Sequence, residues 1–140
     1  MKKDAIIKIV SIQTTDEGRD TAEMTVAGTI CHESGTSVIE YIEDNEETGE
    51  ERTSLTVTDK ATVSIVREGQ FSSEMCVEKS RRHHTYYKTP YGEFIMGIYG
   101  NDVNWFRNGK NSVLKLKYTL DFNNGYVSEN SMNIYIEEKQ

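Results

Sequence analysis

The chain has 140 residues, a length that suits one domain. It holds 36 isoleucines, valines and threonines against 8 leucines and alanines, with a single proline. That balance excludes a helix bundle, a collagenous chain and a Pro-rich disordered chain, and the net charge of −7 opposes binding to phosphate backbones.

The N-terminal lysines, Lys2 and Lys3, precede an apolar run from Ala5 to Val10 that is broken by Lys8. No small-residue cleavage pattern follows, so no secretory signal is expected. No stretch approaches the roughly 18 apolar residues of a transmembrane helix. Cys31 and Cys76 stand outside any Cys-x-x-Cys spacing. The expectation is a cytoplasmic protein with reduced, structural thiols.

The elements are short alternating runs. Ala5–Gln13 is apolar on both faces, with Ile6, Val10 and Ile12 on one and Ala5, Ile7 and Ile9 on the other. A loop around Asp16-Glu17-Gly18 leads to Asp20–Cys31, where Ala22, Met24, Val26, Gly28 and Ile30 share a face. The mid-strand Gly28 predicts a strongly bent strand. Ser37–Asp44 and Arg52–Asp59 flank an acidic loop, and Leu55 and Val57 face inward. Asp59-Lys60 turns the chain into Ala61–Arg67, whose inward parity of Ala61, Val63 and Ile65 continues to Arg67. The turn Glu68-Gly69-Gln70 precedes Phe71–Glu78, with Phe71, Ser73, Met75 and Val77 inward.

His83–Thr89 and Gly92–Tyr99 are separated by Pro90-Tyr91. Gly100-Asn101-Asp102 reads as a turn into Val103–Arg107, and Asn108-Gly109 as a type I′ hairpin. In Ser112–Phe122, Leu114, Leu116, Tyr118, Leu120 and Phe122 alternate without exception with polar residues. This is period 2, a strand. Asn124-Gly125 is a second hairpin signal, before Tyr126–Glu137 with Met132, Ile134 and Ile136 on one face.

Ten or eleven sequential strands joined by tight turns read as an antiparallel meander. Closing the sheet removes its edges. The predicted fold is therefore all-β, a closed antiparallel up-and-down barrel over residues 1–140, with a sandwich as the alternative.

The sequence lacks a G-x-S-x-G elbow, an H-E-x-x-H motif, an EF-hand loop and a P-loop. His83 and His84 are strand neighbours that point to opposite faces, and Cys31-His32-Glu33 offers too few ligands, so no metal and no cofactor are expected. Lys79, Arg81, Arg82 and Lys88 form a basic segment, read as solvated or as an anion site. Glu40, Glu43, Asp44, Glu46, Glu47, Glu50 and Glu51 form an acidic one. The candidate ligand-binding residues are Arg67, Tyr87 and Tyr118. An arginine at a barrel mouth near tyrosine hydroxyls can clamp a carboxylate or phosphate. The competing reading pairs Arg67 with Glu74 or Glu93 and closes the barrel end.

Tyr87-Lys88-Thr89-Pro90-Tyr91-Gly92 resembles the signature of an uncharacterised bacterial family, the YwiB-like β-barrel proteins. Other matches keep the family order: Tyr41, Glu43, Arg67, Gly69, Met75, Leu116, Tyr118, Leu120, Asn130, Asn133, Ile134 and Ile136. The resemblance implies a calycin-like (lipocalin-like) closed barrel of unknown function in the bacterial cytosol, with no catalytic residue to carry over. Thr89, Pro90, Tyr91 and Gly92 make sense as a turn: proline fixes φ, the residue before it is extended, and glycine is free to take positive φ.

Three functions stay open on these residues. The first is a non-enzymatic barrel binding a small, partly apolar ligand with an anionic group. The second is an interaction module with a filled barrel, monomeric or homodimeric. The third is an enzyme, for which no nucleophile–base pair is assembled. Neither nucleic acid nor membrane is an expected partner.

Overall fold

The computed structural model describes residues 1–47, 49–58, 62–122 and 125–139. Its elements are β1 Lys2–Thr15, β2 Gly18–Glu33, β3 Thr36–Asn45, β4 Gly49–Thr58, β5 Thr62–Glu68, β6 Ser72–Glu78, β7 Arg82–Thr89, β8 Gly92–Asn108, β9 Asn111–Phe122 and β10 Gly125–Glu138. Each strand pairs antiparallel with the one before it, and β10 pairs with β1. The sheet is thus a closed up-and-down barrel of ten strands, as the meander predicts. It is consistent with a calycin-like architecture. No helix among the described residues is long and apolar enough to cross a membrane.

Period-2 patterning decides which side chains fill the barrel. In β9, Leu114 and Leu116 are fully buried while Lys115 and Lys117 are exposed. Ile7, Ile30, Ile39, Leu55, Val63, Val77, Ile98, Ile134 and Ile136 belong to the same core, each at most 2% exposed. The predicted inward faces of β4, β5 and β10 are the observed ones, as is that of β2 from Met24 to Ile30, and of the two apolar faces of β1 the one with Ala5, Ile7 and Ile9 turns inward. β2 needs Gly28 at its crossing with β3, since a Cβ there would lie 2.3 Å from the Glu40 carbonyl oxygen.

Several local expectations are corrected. Gly92–Tyr99 and Val103–Arg107 form one strand, β8, and Gly100–Asp102 is a bulge in its pairing with β9. Phe71 and Phe122, predicted inward, are 39% and 45% exposed, because both sit at a rim where no opposite wall faces them. The loop between β8 and β9 is Gly109-Lys110, with Asn108 paired to Asn111. Of these residues only Gly109 has positive φ (+63°), so the turn is of type II′ character rather than I′. Most of the acidic segment is strand: Glu43 faces Glu51 and Asp44 faces Glu50 across β3 and β4. The Asp59-Lys60 turn, Ala61, and Asn124 of the second hairpin signal lie outside the described residues.

Antiparallel alternation places the β5–β6 and β7–β8 turns on the same rim, here the upper one. The β2–β3 and β6–β7 turns lie on the lower rim.

Candidate ligand site at the upper rim

One row of paired residues crosses adjacent strands just below the upper rim. Tyr41 on β3 is opposite Thr53 on β4, Thr53 opposite Arg67 on β5, Arg67 opposite Ser73 on β6, and Ser73 opposite Tyr87 on β7. Opposed residues share a face. Tyr41, Thr53 and Ser73 are buried, so the row points into the barrel. Tyr118 on β9, 7% exposed, lies close enough to feel both Arg67 and Tyr87. The three sequence-predicted residues therefore converge. Tyr41, Thr53 and Ser73 join them, which only the register reveals.

The electrostatics favour neutral hydroxyls around a fixed cation. Burial pushes the Tyr118 phenol up to about 12, reinforced by Tyr87 and opposed by Arg67. Burial likewise raises Tyr41 and Tyr87, again against the pull of Arg67. At neutral pH all three are therefore hydrogen-bond donors. Arg67 is half-buried, and no carboxylate among the described residues lies within ion-pair distance of it. Glu74 does not close the barrel end against it, because Glu74 is exposed and pairs with Tyr86 on the outer face. Thr53 Oγ1 is buried beside Tyr41 and makes no well-formed hydrogen bond. The Tyr87 hydroxyl donates weakly to the Met75 sulfur at 4.0 Å and also meets the Thr85 hydroxyl.

A cavity of about 660 Å³ opens at this rim. Its lining draws on both faces of the sheet. Arg67, Ser73, Tyr87 and Phe94 come from the inner parity, and Val66, Glu74, Tyr86 and Ile95 from the outer. A smaller cavity of about 280 Å³ lies beyond Tyr118, where Ser11, Gln13 and Asn130 supply polar atoms and Ala22 and Met132 apolar ones.

The turn Thr89–Gly92 holds one wall of the larger cavity. The Tyr91 N–H donates to Thr89 Oγ1 (3.1 Å) and the Thr89 hydroxyl donates to the Gly92 carbonyl (3.0 Å). Gly92 takes φ +142°, the conformation its lack of a side chain permits. The flanking residues Lys88 and Glu93, opposite one another, line the cavity with Tyr87. Tyr91 itself is 88% exposed at the tip.

Other polar groups are engaged elsewhere. In the basic segment Arg82 forms a bidentate pair with Asp121 (2.6 and 3.2 Å), Arg81 pairs with Glu78 (3.4 Å) and Lys79 with Asp102 (3.7 Å). His83 bonds Glu78 (3.0 Å) while its neighbour His84 faces solvent. The lower rim is closed by Glu138, which lies 3.5 Å from both Lys3 and His32, while His32 Nδ1 meets Ser37 Oγ at 2.7 Å. Burial, then Arg107, lowers the His32 pKa. Among the described residues no three His, Cys, Asp or Glu side chains are placed to hold a metal.

Comparison with known proteins gives a family and a fold. Residues 7–134 match the model of a family described as Domain of unknown function (DUF1934). The crystal structure of the ywiB protein from Bacillus subtilis superposes with a TM-score of 0.87 at 14% identity, over 99% of this chain and 94% of that one. No curated protein matches the chain. The resemblance read from Tyr87–Gly92 and the residues in family order is thereby upheld.

Proposed function

We propose a binding role for this chain, which belongs to the family of the domain of unknown function DUF1934. The barrel is a non-enzymatic carrier or sensor of a small, partly apolar ligand whose anionic group is held by Arg67. The observation that carries this reading is a half-buried arginine at the barrel mouth without a carboxylate partner among the described residues. A cation drawn out of water is stabilised by an anion or by well-placed acceptors. Here the neighbours are neutral phenols: their oxygens, Tyr41's among them, can accept from the guanidinium without cancelling its charge, and their O–H groups can donate to an incoming carboxylate or phosphate. Apolar contact comes from Phe94 and Ile95, both exposed at the rim. Two free cysteines, Cys31 and Cys76, support a reducing compartment, so the proposed location is the cytoplasm.

A panel of small carboxylates and phosphates, titrated into isotope-labelled protein, tests this. Binding should shift the amides of Arg67, Ser73 and Tyr87, and Arg67→Gln should abolish the shifts. Absence of any response from these amides across the panel would overturn the reading.

An exposed apolar row favours a second reading, an interaction module acting through its surface, as monomer or homodimer. Phe106, opposite Val113, which is opposite Tyr135, makes an outer apolar row, with Phe106 56% exposed. Sedimentation at several protein concentrations separates the two: a mass that stays monomeric removes the dimeric form of this reading.

A further inference from the structure

We infer that the ligand of this site is an extended zwitterion of about dipeptide length, its carboxylate on Arg67 and its ammonium over the rim glutamates. The inference rests on the Arg67 reading and narrows it. The cavity is not a basic hole. Arg67 and Lys88 line it together with Glu68, Glu74 and Glu93, a formal charge of −1. None of the five forms an ion pair among the described residues. The chain as a whole carries a net charge of −7. A purely anionic ligand would gain Arg67 and still enter a negative field, which lowers both its local concentration and its on-rate.

The charges are also ordered in space. Arg67 belongs to the inward row with Ser73 and Tyr87. Glu74, opposite the exposed Tyr86, lies on the outer face, and Glu68 and Glu93 share that outward parity. The cavity therefore presents one cation, Arg67, on its barrel side, and three carboxylates with Lys88, a formal charge of −2, on its solvent side. Between them stand Phe94 and Ile95, with the Tyr86 ring, which can face both an apolar body and an ammonium group. A compact amino acid, whose charges are about one bond angle apart, cannot span from one face to the other. A molecule with separated termini can, and a cavity of about 660 Å³ has room for it. Capture of a free C-terminal carboxylate or of a free N-terminal amine is a known mode of peptide recognition.

Dileucine, N-acetyl-dileucine and dileucine amide, titrated by calorimetry into the full chain, test the assignment. The free dipeptide is expected to bind at least about tenfold more tightly than either blocked form. In Glu74→Gln/Glu93→Gln, folded by circular dichroism, that advantage over the N-acetyl form should vanish. Equal or tighter binding of the N-acetyl form to the unaltered protein would overturn the zwitterion and leave the Arg67 clamp standing. If neither carboxylate-bearing form binds, while Arg67→Gln behaves identically, both the inference and the clamp are overturned.

Discussion

Arg67 sits among groups that cannot neutralise it, and this sets a conflict between stability and binding. Replacing a half-buried, unpaired guanidinium by an apolar chain of similar length is neutral or stabilising when the site repacks. Arg67→Met should therefore raise the unfolding free energy by about 1 kcal/mol in urea melts, while losing anion binding. The tyrosines give a second readout. A phenol whose folded pKa is raised contributes stability that is fully present below its unfolded value and lost as pH rises through the folded value. For Tyr118 the window runs from 10.0 to about 12, and a two-unit shift corresponds to roughly 2–3 kcal/mol. Urea melts at pH 8 and 11.5 should show most of that loss, about 2 kcal/mol, and Tyr118→Phe should reduce it. Arg67, Tyr87 and Tyr118 were legible in the sequence because each continues, or can take, an inward parity set by neighbours such as Ile65 and Leu116. Tyr41, Thr53 and Ser73 were not legible as a group. Their convergence depends on interstrand register, which turn geometry and distant packing fix together.

At the scale of single elements, β8 is the instructive strand. Gly100-Asn101-Asp102 has turn composition, yet the chain runs through it as a bulge, so sequence alone divides one strand into two. The reason lies on another element. Glu78, at the end of β6, packs on Gly100, where a Cβ would stand 2.2 Å from the Glu78 carbonyl oxygen. The turn after β6 locks there too, with the Ser80 N–H donating to the Gly100 carbonyl (2.8 Å) and the Gly100 N–H to the Arg81 carbonyl (3.1 Å). Both clashing groups are backbone, so neither can swing aside. Gly100→Ala should destabilise by about 3 kcal/mol in chemical denaturation. A change below roughly 0.5 kcal/mol would show that the crossing is looser than described. By contrast the strands most legible in sequence, such as β9, are those buried on one face along their whole length, where period 2 has no competing constraint.

For the whole molecule, closure was legible because sequential strands with tight turns have no other way to hide two edges. The unevenness of that closure was not. β1 pairs with β2 from Lys2 to Thr15, whereas β6 pairs with β7 only where Ser72–Glu74 meets Tyr86–Lys88. Below that point the strands diverge. The Thr85 hydroxyl caps the Glu74 carbonyl at 3.0 Å, and Gly100 of β8 packs on Glu78 at the end of β6 and bridges to Lys79 just beyond it. A barrel opens first where the fewest backbone bonds must break together. Native-state hydrogen exchange should therefore be fastest, among strand interiors, at Met75–Glu78 and Arg82–Thr85, and slowest in β1, β9 and β10. Cys76 lies on this seam, half-buried, its thiol pushed up by burial and by Glu78. Its labelling by a disulfide reagent should follow the same local opening and precede global unfolding. Labelling of Cys76 only at denaturant concentrations that unfold the whole barrel would place the weakest pairing elsewhere. Ser73 and Tyr87, which join the strands at the top of the seam, also line the ligand cavity. A ligand bridging them should slow both exchange at the seam and Cys76 labelling in proportion to its occupancy, and leave β9 and β10 unchanged until global stability is affected.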